Sequence, residues 1–359
     1  MADENKPNGL DPNSIEARTI IGRDIKERRD NINKINRGSG FSDTYGSIGD
    51  IFRGIDHRNA GSSYQKNNDH QGLTLFTRPM FNLTYNNVLA DRQLHPLLAE
   101  DTRHMYRAIR VMLDPQISKR NVESDIFDNR QAFITLLSGT LLNISGFPVL
   151  TINSYTSPEG VRKESYSIVD DVAEINSAFD MTATFANIQG DPITTLFQTW
   201  SHYMGNVYSG DMVPYPDFIV ENEIDYQTRI WRLVLDSSKR YVKKIGCANA
   251  CFPLASPLGA AFNYTNDRPY SDGNDQISIP FRCVGAEYND PLLFDEFNLT
   301  VQYFNPEMRD GNRDIMMHRL SDTEVNAFNY RGYPRIDPKS LRLEWWINKS
   351  EYRNFLGDL

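Results

Sequence analysis

Residues 179–205, FDMTATFANIQGDPITTLFQTWSHYMG, change their hydrophobic period halfway along. From Phe179 to Phe185 apolar residues alternate with polar ones, which predicts a strand with one buried face. Asp191 and Pro192 then suit the N-cap and the first position of a helix. The apolar side chains of this strand and helix form the expected structural core, which consists of Phe179, Met181, Phe185, Ile193, Leu196, Phe197, Trp200 and Met204.

The predicted helix carries little obvious chemistry. Gly205 suits the position just after a helix, so the helix is predicted to end there. His202 falls about half a turn away from the apolar stripe, among polar positions, which favours a solvent-exposed histidine over a catalytic one. Trp200 lies within the stripe, which favours a core or interface role over stacking on a ligand. We therefore interpret this segment as scaffold.

Helical spacing dominates the part of the body that precedes this segment. LTLFTRP, residues 73–79, is predicted to begin the ordered body. Apolar residues at helical spacing predict a helix over 97–114, which Pro115 ends. A second helix is predicted over 127–146, with an interruption near Gly139.

From Pro148 onward the pattern favours β structure. TINSYT and VRKESYSIV flank the turn sequence SPEG, which predicts a hairpin over 151–169. Further strands are predicted at 229–236, 276–284, 297–304 and 341–347. In the third of these, FNLTVQYF, every second residue is apolar, as is typical of an antiparallel sheet with one buried face.

The N-terminal part of the chain differs in composition from the helical and the β-rich segments. Residues 20–36 carry isoleucines near helical spacing amid mixed charge, which predicts a short amphipathic helix. Residues 37–72 are rich in Gly, Ser, Asn and Asp, which is typical of an extended arm. The arm also contains apolar residues, which either dock on a neighbouring subunit or pack on their own domain. They are Phe41, Tyr45, Ile48, Ile51, Phe52 and Ile55.

These patterns predict three parts. Residues 1–72 form a polar arm with a short amphipathic helix, 73–146 form the helical part of the body, and 147–359 form a β-rich body. We see no repeated block of about 20 to 50 residues, which disfavours a solenoid or a propeller.

Composition narrows the class of protein. With 359 residues and 40% hydrophobic residues, the chain can bury a large core. A formal charge of −9 argues against a protein that coats nucleic acid. The N-terminus has no apolar signal-peptide core and no run of about 18 apolar residues occurs, so we expect synthesis in a cytoplasm and no membrane insertion. Three cysteines are too few for a secreted disulfide framework, so we expect reduced thiols.

The sequence contains no strong signature of catalysis. It lacks the usual phosphate, dinucleotide, acyl-transfer and zinc-protease motifs. Cys247 and Cys251 have no histidine close by in sequence, and the oxygen-rich loop Asp267–Asp275 does not match the spacing of an EF-hand. Acidic pairs such as Asp295-Glu296 are better explained as solvated surface. No catalytic residue, cofactor or metal ligand is therefore assigned.

The order of four segments resembles that in virion structural proteins of large contractile-tailed bacteriophages, particularly tail-tube and baseplate-associated ones. These segments are FTRPMFNLTYNNVL, the strand and helix described above, NEIDYQTRIWRLVLD and NDQISIPFRCVGAEYNDP. The resemblance implies an α+β fold with an antiparallel sheet, as a tail-tube-like sandwich or barrel segment, packed helices and an N-terminal arm. It also implies partners: copies of the chain in a ring, other phage tail proteins, and genomic DNA passing through a lumen. Thr182 and Thr184 would then face that lumen or a partner.

The sequence is compatible with three functions. A structural component of a phage tail, made in the host cytoplasm and assembled into rings or stacks, is the leading hypothesis. Because the chain is longer than a simple tube subunit, a tube-capping, baseplate or neck component remains open beside the tube subunit. The alternative is a virion module that binds or cleaves glycans through exposed aromatics and a carboxylate pair. A metabolic enzyme is the weakest hypothesis, because no cofactor motif is present.

Overall fold

A computed structural model describes residues 70–172, 177–263, 266 and 275–357. The predicted amphipathic helix at 20–36 and the six apolar arm residues from Phe41 to Ile55 lie outside the described residues, as does nearly all of the loop Asp267–Asp275.

The described elements mix short helices with antiparallel strands. The strands are β1 (His70–Phe76), β2 (Leu141–Ser145), β3 (Ile152–Thr156), β4 (Ser167–Val172), β5 (Ala178–Ala186), β6 (Thr228–Leu235), β7 (Val242–Pro253), β8 (Gln276–Tyr288), β9 (Met317–Arg319), β10 (Tyr333–Ile336) and β11 (Leu343–Asn348). The α-helices are α1 (Tyr85–Ala90), α2 (Met105–Leu113), α3 (Thr135–Thr140), α4 (Pro192–Ser209), α5 (Pro216–Glu221), α6 (Leu292–Phe304), α7 (Arg313–Met316), α8 (Asp322–Ala327) and α9 (Lys349–Gly357).

Six strands form one nearly closed, barrel-like antiparallel sheet in the order β1-β6-β7-β8-β5-β2. A single segment spans the opening between its two edge strands. Beside β1, the N–H of Ile134 donates to the carbonyl of Phe76 at 2.8 Å; the chain then runs through α3 into β2 at the other edge. The α+β class with an antiparallel sheet is thus confirmed.

Two hydrophobic clusters cover this sheet unequally. The first packs α2, α4 and neighbouring loops against one face of the sheet. The second packs α6 and the three-stranded sheet β10-β11-β9 against the other face, but only on β1, β6 and β7. On β6, Ile230 lies in the first cluster and Trp231 in the second. The strands β5 and β8 contribute buried residues to the first cluster alone, and Leu141 and Ile144 of β2 are partly buried against that cluster.

Most β predictions are confirmed. The hairpin predicted over 151–169 is present as the pair β3–β4, although β4 begins only at Ser167 and continues to Val172. The strand predicted from Phe179 to Phe185 lies within β5. The segments 229–236, 276–284 and 341–347 correspond to β6, β8 and β11. The sequence 73–79 begins inside β1, which starts three residues earlier at His70.

The strand predicted at 297–304 is wrong, because this segment is the second half of helix α6. Its alternating apolar residues are also spaced four apart, and that spacing fits one face of a helix. Phe297 and Val301 are buried, whereas Leu299 and Tyr303 are 60% and 63% exposed. A helix separates these two pairs onto opposite sides, while a strand would have buried all four together.

The helix predictions need three corrections. Helix α2 covers only Met105–Leu113, and the earlier part of 97–114 belongs to a 3₁₀ helix, Arg92–Leu98, and a turn. The segment 127–146 contains a short helix, and then Leu141–Ser145 form β2, because they pair with the free edge of β5. The long helix α4 continues past Gly205 to Ser209, where Gly210 ends it with a φ of +84°.

Candidate assembly interface

One half of the barrel-like sheet leaves a polar face uncovered. Pro280, which lies opposite Thr182, and the strand-end residues Ala178 and Gln276 are on this side. The eight further positions are Asn143 and Ser145 on β2, Asp180, Thr182 and Thr184 on β5, and Ser278, Arg282 and Val284 on β8. We call these eight positions the free face. Their side of the sheet is fixed by the pleat, since the alternate residues of the same strands point into the first cluster.

The free face is electrically balanced. Asp180 and Arg282 sit directly opposite each other on β5 and β8, and their side chains join at 2.8 Å. Both are well exposed, so this ion pair remains in contact with solvent. The hydroxyl of Thr184 lies 3.5 Å from that of Ser278. Hydroxyls, one amide and one neutralised charge pair therefore make up most of this surface, and it offers no cluster of positive charge to a phosphate.

The reverse side of the same strands is tightly packed. The structure places Met181, Phe185, Ile193, Leu196, Phe197 and Trp200 among the fully buried residues, and Phe179 and Met204 half-buried against them. The indole N–H of Trp200 donates to the carbonyl of Tyr226 at 3.0 Å. The ring of Phe281 on β8 meets that of Phe197 edge-on at 5.8 Å between centroids. Packing on the opposite side of these strands therefore supports the free face.

The hairpin β3–β4 exposes apolar side chains on both of its faces. Ile152, Tyr155, Ile168 and Val169 are each 46% to 64% exposed, and Val161 at the tip is fully exposed. Tyr155 lies opposite Ile168, whereas Val169 lies opposite Ser154 and so points to the other side. An isolated two-stranded hairpin is marginally stable in water, so such a hairpin gains stability when another surface covers it.

Few contacts tie this hairpin to the body. In the described part of the chain, β3 and β4 make an extended contact only with each other. The hydroxyl of Tyr288, near the end of β8, donates to the carbonyl of Pro148 at 2.8 Å, and its ring meets that of Phe147 at 6.3 Å. The base of the hairpin is thus anchored beside the free face, and its tip projects away.

The edge strand β2 adds a third assembly feature. It pairs with β5 on one side, and within the described residues no strand pairs with its other side. Leu142 on this strand is 56% exposed. Unpaired backbone N–H and C=O groups at such an edge can accept a strand from another chain. The free face, the hairpin base and the open edge all belong to the same half of the sheet.

The helical layer on the covered side contains a buried carboxylate. Asp114 accepts hydrogen bonds from the backbone N–H of Leu83 at 2.8 Å and from the hydroxyl of Tyr215 at 2.9 Å. Burial raises the pKa of Asp114 to about 6 despite these bonds, because it disfavours the charged form. The hydroxyl of Tyr203 donates in the same way to buried Asp225, whose pKa burial also raises. These Asp–Tyr hydrogen bonds hold the loops around Leu83 and Tyr215 and around Asp225 in place beside the first cluster.

The other candidates from the sequence have ordinary surroundings. His202 is only partly exposed, and its Nδ1 lies 3.1 Å from the carboxylate of Asp91. Glu296 is paired with Arg229 at 2.9 Å. The three free cysteines, Cys247, Cys251 and Cys283, are buried in the sheet, where desolvation raises the pKa of Cys247 to about 12.

Sequence reasoning missed the exposure of the hairpin. The period-2 pattern of 151–169 predicted two strands but did not say whether either face would be covered. A signal was present, because apolar residues fall at both parities: Tyr155 points to one side and Ile152 to the other. A strand with apolar residues on both sides is buried in a sheet or exposed at an interface.

Comparisons with known proteins give one family. The family model described as "Putative phage tail tube protein" matches residues 14–358. Among solved structures, the chain is similar to the anti-feeding prophage cap (AFP tube terminating cap), with 11% identity and a TM-score of 0.26 over 41% of this chain and 78% of that one. It is also similar to a chain of an extracellular contractile injection system, the PVC sheath-tube complex in its extended state, with 9% identity and a TM-score of 0.27 over 44% and 82% of the two chains. No curated protein matches the sequence. None of the helices in the described ranges is long and apolar enough to cross a membrane.

Proposed function

Because the chain belongs to the phage tail tube protein family and is a structural component of a phage tail, we propose that copies of it assemble side by side into a ring. In this arrangement the free face lines a lumen that passes genomic DNA, and the hairpin β3–β4 covers a neighbouring subunit. The observation that carries the proposal is the hairpin, whose apolar side chains are exposed on both faces next to a polar, charge-balanced surface.

The chemistry of the free face supports its orientation toward DNA. A surface that grips phosphates needs Lys and Arg side chains, and each phosphate contact adds affinity that hinders movement of the strand. Arg282 is the one basic residue among the eight positions of the free face, and Asp180 neutralises it. Hydroxyl and amide groups keep such a lumen hydrated without binding the DNA phosphates tightly.

The open edge of β2 supports contact between neighbours within the ring. A strand from the next copy can pair with this edge, and the ring closes when the last copy pairs with the first. Such a contact extends the antiparallel sheet from one subunit to the next.

The hairpin is tested by replacing Tyr155 and Val169 together with Asp in the full chain. We expect loss of rings or stacks, as seen by negative-stain electron microscopy and sedimentation, with unchanged unfolding of the isolated subunit. The matched control is Tyr208→Asp, which alters an equally apolar side chain that is 95% exposed at the end of α4. Normal assembly of the hairpin variant, or equal loss in the control, would contradict the proposal.

The arm forms a second part of this proposal. In this proposal a neighbouring subunit binds the apolar residues of the arm, which are Phe41, Tyr45, Ile48, Ile51, Phe52 and Ile55. The division of the chain into 1–72, 73–146 and 147–359 stays a prediction. Because β1 begins at His70 and pairs with β6, the informative truncation removes residues 1–69 and spares the strand. We expect a folded body that assembles poorly in the same assay, and normal assembly would remove the arm from the interface.

Whether the ring belongs to the tube, its cap, the baseplate or the neck depends on where the chain sits in a particle. Labelling the chain in purified tails and imaging them distinguishes these positions. The same experiment separates a structural subunit from a glycan-cleaving module, which would lie at the outer surface of the particle instead of around its axis.

A further inference from the structure

Two of the three buried thiols lie opposite each other in the barrel-like sheet. Cys251 on β7 and Cys283 on β8 are directly paired positions of two antiparallel strands. Both side chains belong to the first cluster, so they point to the same side of the sheet, and both are fully buried. The next pair along the register, Phe252 with Arg282, is regular as well. The two sulfur atoms are therefore neighbours in the core.

The hydrogen-bond pattern makes this a closely spaced pair. The N–H of Leu254, just after β7, donates to the carbonyl of Pro280 at 2.8 Å, so these two residues occupy a hydrogen-bonded position. Hydrogen-bonded and non-hydrogen-bonded pairs alternate along antiparallel strands, and Cys251 with Cys283 is three pairs further along, at a non-hydrogen-bonded position. Cα atoms at such positions are about 4.5 Å apart. Disulfides in proteins have Cα atoms about 4.4 to 6.8 Å apart, so the two backbones already meet this requirement.

The thiols also interact with each other. The S–H of Cys251 donates to the carbonyl of Ala248 at 3.5 Å. A hydrogen bond with the Cys283 side chain, together with burial, raises the pKa of the Cys251 thiol. This contact agrees with the paired backbone positions, and joining the two sulfur atoms requires no change of register between β7 and β8.

The third cysteine, Cys247, lies apart from this pair. An irregularity of β7 between Ala248 and Cys251, in its pairing with β6, turns Cys247 to the other side of the sheet and into the second cluster. Its paired residues are Trp231 on β6 and Glu287 on β8. Neither of them carries a thiol, so Cys247 is an internal control for any reaction between the other two cysteines.

The pair lies at the boundary between the two halves of the sheet. Strand β7 belongs to the half that is covered on both faces, and β8 belongs to the half that carries the free face. A covalent bond between the two cysteines joins these halves and closes a loop that contains residues 252–282. Cross-links of this kind stabilise a fold mainly because they restrict the unfolded chain.

We propose that Cys251 and Cys283 are a site of reversible oxidation, at which a peroxide converts the two thiols into a cross-strand disulfide. With hydrogen peroxide, the sulfur of one cysteine attacks the peroxide, the O–O bond breaks, and a sulfenic acid and one water form. The sulfur of the other cysteine then attacks the sulfenic sulfur, the S–O bond breaks, and the S–S bond forms as a second water leaves. The site does not depend on the position of the chain in the tail or on the orientation of the free face.

Peptide mapping of the full-length protein tests this site. The folded protein is treated with hydrogen peroxide and then unfolded, and its remaining thiols are alkylated before digestion and mass spectrometry. We expect the number of alkylated thiols to fall from three to one, with Cys251 linked to Cys283, and a reductant should restore all three. The reaction should be slow, because buried thiols react only when the strands open locally. The linked protein should unfold at a higher denaturant concentration than the reduced protein.

The matched control is Cys247→Ala, which removes the cysteine on the other side of the sheet and should leave the yield of the linked peptides unchanged. Cys283→Ala should abolish the link, and thermal unfolding should verify that both variants fold. Wild-type protein also contains its own control, since Cys247 should remain alkylated after peroxide treatment. Links from Cys247, links only between copies of the chain, or oxidation of Cys251 to a sulfinic acid without a link would overturn the proposal. Three alkylated thiols after prolonged treatment would overturn it too.

Discussion

The two halves of the barrel-like sheet differ in how many of their faces are covered. In the half formed by β1, β6 and β7, both faces are buried, since the first cluster lies on one side and α6 with the small sheet lies on the other. In the half formed by β2, β5 and β8, only one face is buried, and the other carries Thr182, Asp180 and Arg282 in solvent. The strand sequences record this difference, because six of the eight residues of β6 are apolar or buried threonine, whereas β5 alternates.

This difference separates stability from assembly. In the doubly covered half a side chain on either face points into a packed cluster, so substitutions on both faces should act on folding. Substitutions on the free face touch solvent in the isolated subunit, so they should act only when subunits meet. The covered half therefore holds the fold together, and the other half is available to neighbours.

The largest expected effect is that of Trp231→Ala in the covered half. Trp231 is fully buried, meets Phe297 edge-on at 5.4 Å, and donates its indole N–H to the hydroxyl of Thr77 at 3.1 Å. Removing it should lower the free energy of unfolding by about 3 to 5 kcal/mol, measured by denaturant titration. Thr182→Ala on the free face is the control and should stay within about 0.5 kcal/mol. If the two variants lowered the free energy of unfolding equally, the distinction between the two halves of the sheet would be wrong.

Protonation of Asp114 is expected to change the free energy of unfolding by about 3 kcal/mol between low and neutral pH. Its pKa is about 6 in the folded protein against an ordinary 3.8, so the folded state binds the proton more tightly. The stability that comes from this protonation is fully present below about pH 4 and is lost as the pH rises through about 6. Comparing the unfolding free energies of wild type and Asp114→Asn at about pH 4 and about pH 7 measures it.

Asp91→Asn supplies a control of opposite sign. Hydrogen bonds from Asn206 and Gln93 outweigh the effect of burial and lower the pKa of Asp91. Its contribution to stability is present above its ordinary pKa and is lost as the pH falls through the lower folded value. If both variants change the pH dependence in the same direction, the assignment of Asp114 is wrong.

The smallest expected effect is that of Asp180→Ala on the free face. The pair that Asp180 forms with Arg282 is exposed on both sides, so its loss should cost no more than about 1 kcal/mol and less at high salt. Thermal unfolding at low and high ionic strength measures this. A loss of several kcal/mol would mean that this face is covered in the isolated subunit, and the contrast between the two halves would then fail.

Local pattern predicted much of the sheet but little of the interface. The stretch from Phe179 to Trp200 was predictable because its strand and helix each have a distinct local signal, and β5 and α4 follow it. Asp191 stands before the helix as predicted, but its backbone is left-handed and its side chain makes no capping hydrogen bond. Residues 297–304 were not, because four alternating apolar residues fit a strand and a helix equally well. The segment Leu141–Ser145 forms β2 since the edge of β5 needs a partner, which no local pattern reports.

By itself, the sequence determined that the chain has an α+β body, that the segment 179–204 is packing scaffold, and that the first 72 residues have a different composition. Only the tertiary structure decided that α6 covers Trp231, that the hairpin β3–β4 stands out from the body, and that the outward side of β5 stays free. The physical reason is that periodicity reports which side of an element is apolar. Whether that side meets the core, a neighbouring subunit or water depends on the elements that the fold brings against it.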